Sequence, residues 1–276
     1  MKDLYILLNH ELQMKLKSIA KSSLFLQSYE IAKSNISKIG MIVLFDAMFV
    51  ISFFIIQKLS NYLGMIIIPY ISFSPILFLF ILSAIYYLVA LLVYSFFKFN
   101  ILDYIKSLFE KTQFNLKKFW NFYLLNLIIA FIFLVILLII NIILMNLKLN
   151  YAPYLFLILA IPYLLFLYVI FNISQSLFYI GNSMKESLKK GFKIAFTEMR
   201  GYREIIFVIV TFSIVLWLLF LGFGYILRVS TAGNYSMYLN AYSVYSEIVK
   251  WVISIVAYIL ILVNRIAFYN IAKKVD

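Results

Sequence analysis

The chain has 276 residues, of which 65% are hydrophobic and 13% charged, and its mean hydropathy is +1.01. A soluble domain is near half apolar and a quarter charged, and a disordered chain lacks apolar and aromatic residues, so both classes are excluded. The net charge is +13, there is no Cys, and His10 is the one His, which excludes disulfides, thiolate metal sites and Cys nucleophiles. The eight glycines form no GxGxxG or P-loop spacing, so the sequence makes no case for a nucleotide-binding loop.

In chain order, residues 1–38 form a basic region in which Leu8, Leu12, Leu16 and Ile19 recur at helical spacing. Its apolar patch, Tyr5 to Leu8, is too short for a signal-peptide core, so the first span is expected to act as the insertion signal. Residues 39–276 then read as one membrane domain with spans at about 39–56, 75–97, 120–145, 153–180, 205–227 and 251–271. Each is near the length a helix needs to cross a bilayer, about 20 residues. Asp46 lies inside the first span, Pro162 inside the fourth and Arg265 inside the sixth. Barrel strands would alternate in polarity over about 10 residues. Leu124 to Met145 does not, and only helices or closed barrels satisfy every backbone group in hydrocarbon. The predicted fold class is all-α: a polytopic membrane bundle of six transmembrane helices.

Four basic residues, Lys58, Lys148, Arg228 and Lys250, fall on one side of this threading, and the other 20 of the 24 fall on the opposite side. Basic residues concentrate in cytoplasmic segments, so both termini are expected in the cytoplasm and the protein in the cell membrane. An even number of spans is needed for that arrangement. The basic segments also carry apolar stripes: Ile101, Ile105, Leu108 and Leu116 in 98–119, and Met184, Leu188, Phe192, Phe196 and Met199 in 184–203. Such stretches predict interfacial helices on the inner leaflet, with Lys106, Lys117, Lys118, Lys185, Lys189, Lys190, Lys193 and Arg200 contacting anionic lipid headgroups. The charge is read as topology and lipid contact rather than as a nucleic-acid surface. A basic stretch precedes each pair of spans, and the pairs begin near Ile39, Trp120 and Arg203. Two readings stay open: three repeated units, or the rhythm of any six-span protein with short outer loops.

Asp46 and Arg265 each lie about eight residues inside the lysines that flank their spans, Lys38 and Lys273, and equal depth makes them a candidate ion pair. Asp46 alone is also a candidate proton or cation site. Asn126 and Asn141 in the third span and Gln175 in the fourth are candidates for a polar cavity, with interhelical hydrogen bonding as the structural alternative. Tyr235, Tyr238, Tyr242 and Tyr245 fall in an expected outer loop, 228–246, as an interfacial belt.

The runs Lys117-Lys118-Phe119-Trp120-Asn121-Phe122-Tyr123 and Ser187-Leu188-Lys189-Lys190-Gly191-Phe192 resemble the span entries of a loose group of prokaryotic six-helix membrane proteins. That group includes the membrane domain fused to some glycerophosphodiester phosphodiesterases. The resemblance implies a six-helix membrane bundle. It carries no enzymatic role, because no catalytic domain stands beside the spans in this sequence. The expected function is that of a non-enzymatic membrane scaffold, or a protein that engages lipid or a membrane partner, without a cofactor. The alternative is a small transporter or permease that uses Asp46 as an intramembrane polar site.

Overall fold

The computed structural model describes residues 23–67, 75–110, 115–145, 152–197, 199–231 and 234–275. Among them are eight helices and no strand: α1 (Leu24–Ser34), α2 (Ile36–Ile67), α3 (Pro75–Ser107), α4 (Leu116–Met145), α5 (Ala152–Ile180), α6 (Met184–Thr197), α7 (Met199–Ser230) and α8 (Tyr235–Val275). All but α1 and α6 are long and apolar enough to cross a membrane, which makes the chain an all-α multi-pass membrane protein. Even α5, with 29 residues, is about 43 Å long at 1.5 Å per residue.

Local chemistry sets the helix ends. Asn115 Oδ1 accepts the Lys118 amide at 3.2 Å and Asn234 Oδ1 accepts the Met237 amide at 3.0 Å, so an Asn caps the start of α4 and of α8. Ser183 and Glu186 form a reciprocal capping box at α6: Ser183 Oγ accepts the Glu186 amide and Glu186 Oε2 accepts the Ser183 amide. Gly181, at φ +153°, ends α5 in a conformation that L side chains rarely adopt.

The chain divides into two compact units, residues 1–33 with 198–271, and residues 34–197 with 272–276. In the first, the Glu204 carboxylate caps the start of α1, accepting from Leu24 N at 2.9 Å, Phe25 N at 3.2 Å and the Ser23 hydroxyl. The Tyr245 hydroxyl of α8 donates to the Phe220 carbonyl of α7. In the second unit, α2 and α3 form an antiparallel hairpin. Lys38 Nζ donates to the Ser107 carbonyl at one end, and the Phe53 and Tyr86 rings lie 6.3 Å apart further along. Helices α4 and α5 repeat the device: Lys118 Nζ donates to the Tyr179 carbonyl at 2.9 Å, and Tyr163 Oη to the Phe133 carbonyl at 3.0 Å. A lysine in the first turn of one helix therefore satisfies a carbonyl in the last turn of the next. The core of this unit is aromatic. Buried Phe99 meets Tyr179 at 5.0 Å, Phe122 at 5.5 Å and Phe119 at 5.8 Å.

Two sequence expectations change here. Residues 98–107 continue α3, with Ile101 and Ile105 buried, and do not form a separate surface helix. An apolar stripe of helical period fits a leaflet and a protein core equally well, and here the protein covers it. Residues 235–246, expected in an outer loop, are the first turns of α8. On α6 the protein buries Ser187, Gly191, Ile194 and Ala195, while in the stripe read as facing the leaflet Leu188 and Phe192 are half-buried and Phe196 is exposed. A Cβ on Gly191 would collide with Ser174 Oγ and come within 3.1 Å of its Cβ and 3.3 Å of its Cα, so Gly191 permits α5 and α6 to touch. The amphipathic expectation for residues 1–22 lies outside the described residues, and Met199 has no described side chain.

Candidate functional site

Three span helices of the second unit bring their polar side chains to one place. Asn126 of α4 donates from Nδ2 to Ser95 Oγ of α3 at 2.9 Å, and the Ser95 hydroxyl donates to the Leu91 carbonyl at 2.7 Å. Gln175 of α5 donates from Nε2 to Asn126 Oδ1 at 2.8 Å and to Tyr94 Oη at 3.2 Å. Ser95, Asn126 and Gln175 are wholly buried. The donors run in one direction, from Gln175 through Asn126 and Ser95 to a backbone carbonyl. Beside this chain, Lys98 of α3 is 6% exposed and donates to Asn172 Oδ1 of α5 at 3.1 Å. Asn172 in turn donates to the Tyr168 carbonyl one turn back, at 2.8 Å. Each interhelical hydrogen bond in a membrane bundle contributes about 0.6 kcal/mol, so the network positions α3, α4 and α5 more than it stabilises them.

The chain of donors leaves a remainder. Gln175 Oε1 and Ser174 Oγ are buried without a hydrogen-bond partner among the described residues, and so are both polar atoms of Asn264 in the first unit. A buried polar atom left unpaired costs about 1–3 kcal/mol.

The structure thus joins Asn126 and Gln175, by direct contact across helices. Asn141, the third cavity candidate, is exposed on α4, about 22 Å further along the axis from Asn126, and joins no such network among the described residues. Asp46 is half-buried on α2 of the second unit, and Arg265 is half-buried on α8 of the first. Ser95 and Lys98 escape a reading by span. The first is one hydroxyl in an apolar run, and the second stands just past an uncharged segment and reads as loop. The available signal was the spacing of Ser95 and Lys98, three apart and so on adjoining positions of one helix face.

The basic residues separate into two sets. Lys118 bonds the Tyr179 carbonyl and sits 4.3 Å above the Tyr179 ring. Lys190 bonds Asn182 Oδ1 at 2.8 Å, and Lys106 lies 3.9 Å from the Glu110 carboxylate. Lys273 reaches the other Glu110 oxygen at 3.0 Å; its hydrogen bond and charge hold the Glu110 carboxyl below the usual carboxylate range. Lys117, Lys185, Lys189 and Lys193 are exposed, and the Arg200 side chain lies outside the described residues. Among the described residues, no group of three or more His, Asp or Glu side chains is placed to hold a metal ion. Comparison with protein families, with curated proteins and with solved structures finds no match to this chain.

Proposed function

We propose that this protein is a non-enzymatic membrane scaffold that gathers anionic lipid along α6. The observation that carries this reading is the division of α6 into two faces. Its small face, Ser187, Gly191 and Ala195, is buried, and Gly191 faces Ser174 of α5. The opposite face presents exposed Lys185, Lys189 and Lys193 around Phe192 and Phe196, the last 59% exposed. Lysines around an exposed and a half-buried aromatic ring match the headgroup layer of an anionic leaflet. The test is lipid analysis of protein purified in mild detergent. Anionic lipid should be enriched over the source membrane, and changing Lys185, Lys189 and Lys193 together to Gln should remove most of that enrichment. Each lysine near the surface contributes about 1 kcal/mol. An unchanged lipid profile in the triple variant removes the reading.

A second reading, a small permease, is favoured by the unpaired Gln175 Oε1 and Ser174 Oγ and by a half-buried carboxylate, Asp46, in α2. Buried charge inside a span marks ion and proton paths. It predicts proton or cation flux in liposomes that Asp46→Asn abolishes. Flux equal to that of empty liposomes removes it.

A further inference from the structure

At the end of the α2–α3 hairpin away from Lys38 and Ser107, an open cleft of about 460 Å³ is lined by both helices. Its walls hold the uncharged polar side chains Gln57, Ser60 and Asn61 of α2 and Ser83 of α3. The spacing 57, 60, 61 keeps the first three on one helix face, and Gly64, next on that face, is buried. None of these four side chains makes a hydrogen bond to a described residue, although span serines elsewhere, such as Ser52 and Ser95, bond back to their own helix. Tyr86 and Tyr87, with ring centroids 5.4 Å apart and edge to face, complete the wall.

The depth of the cleft identifies the medium. If Lys38 marks one headgroup layer, about 20 residues of helix carry α2 across the hydrocarbon and place the other layer near Lys58. The cleft therefore lies where headgroups meet acyl chains. A shallow depression of about 600 Å³ adjoins it on α2, sharing Asn61 and Met65 with the cleft and adding exposed Ile55 and Leu59. Lys58 borders that depression and is exposed, with no carboxylate among the described residues within ion-pair distance. Around α2 the surface thus runs from amides and hydroxyls in the cleft, past an exposed ammonium, to apolar side chains on the far face.

We infer that the α2–α3 cleft binds a phospholipid whose headgroup carries free hydroxyls, with the headgroup among Gln57, Ser60, Asn61 and Ser83 and the phosphate toward Lys58. Carboxamides and hydroxyls each donate and accept, and so complement a polyol. A choline headgroup meets the tyrosine rings but leaves those four groups unpaired. A bare phosphate accepts from Lys58 and from the amide and hydroxyl donors but carries no polyol hydroxyls to pair their oxygens. The site is separate from the lysine face of α6 and stands or falls without it.

The experiment is native mass spectrometry of the full chain in mild detergent, titrated in turn with phosphatidylglycerol, phosphatidylcholine and phosphatidic acid of matched chains. Phosphatidylglycerol should be retained at concentrations roughly fivefold lower than either of the others, the ratio for about one net hydrogen bond. Gln57→Ala with Asn61→Ala should erase that preference, and Lys58→Gln should weaken both anionic lipids alike. Asn61→Asp, close in shape to the native side chain, should repel the phosphate and lower retention if the double variant does not fold. Equal retention of phosphatidylglycerol and phosphatidic acid by the native chain overturns the inference, as does retention unaffected by Asn61→Asp. Displacement of the lipid by free glycerol phosphate at similar concentration assigns the cleft to a soluble phosphate ester and overturns it as well.

Discussion

Gly191 and Ser174 show how one missing methyl group decides a helix contact. With no Cβ at 191, α6 lies against α5 closely enough that Ser174 Oγ is buried with no partner. Gly191→Ala forces Ser174 to turn and the backbones to part, and such overpacking costs about 1–3 kcal/mol. Ser174→Ala alone removes an unpaired hydroxyl from a buried place and should be neutral or stabilising. Combined, the two changes should recover part of the loss, since the sharpest clash disappears. Thermal unfolding of the four proteins in detergent checks this, and full additivity of the two single effects would show that the residues do not meet as described. At this scale the sequence was partly legible. Asn126 and Gln175 stand out because amides are rare in hydrocarbon, and they do bond each other. Asn141 carries the same signal and takes no part, because it lies nearer the helix end, where exposure is permitted.

The long helices were legible as elements because a run of about 20 apolar residues has few other uses. Their ends were not. Hydropathy marks where the hydrocarbon stops, whereas a helix continues as long as its own hydrogen bonds and packing hold. Thus α3 runs to Ser107, ten residues beyond the apolar run, because Phe99, Ile101, Leu102 and Ile105 are buried. Helix α8 begins at Tyr235, sixteen residues before its apolar run, from the Asn234 cap. Its tyrosines at 235, 238, 242 and 245 follow a helical spacing, and neighbouring rings lie 5.7 Å and 6.1 Å apart. That spacing was visible in the sequence; the surrounding Ser and Asn residues directed the reading toward a loop. For α6 the sequence reading assigned a leaflet face and no core face; close approach to α5 selects the small residues Ser187, Gly191 and Ala195 for the latter.

For the whole molecule, threading rests on charge. Within the second unit, Lys38, Lys106, Lys118 and Lys190 gather at one end of the helices: Lys38 bonds Ser107, next to Lys106, while Lys118 bonds Tyr179, near Asn182 and its partner Lys190. Lys58 stands toward the other end of α2. Moving basic residues across an energised membrane is costly, so the lysine-rich end is proposed to face the cytoplasm, as are both termini. The chain has no Cys, so single substitutions give an unambiguous label. Lys117→Cys and Lys193→Cys, both at exposed positions, should resist an impermeant maleimide in intact cells and react in inverted vesicles. Tyr235→Cys, at a site 76% exposed at the start of α8, should do the reverse. Six spans put positions 117 and 193 on one side and 235 on the other whichever way the bundle inserts, so the pair tests whether α4 and α5 cross together, position 235 tests α7, and the side that labels gives the direction. Labelling of 117 and 193 on opposite sides would mean that α4 and α5 do not both cross. Labelling of both from outside, with 235 protected, would mean that the charge rule fails for this chain.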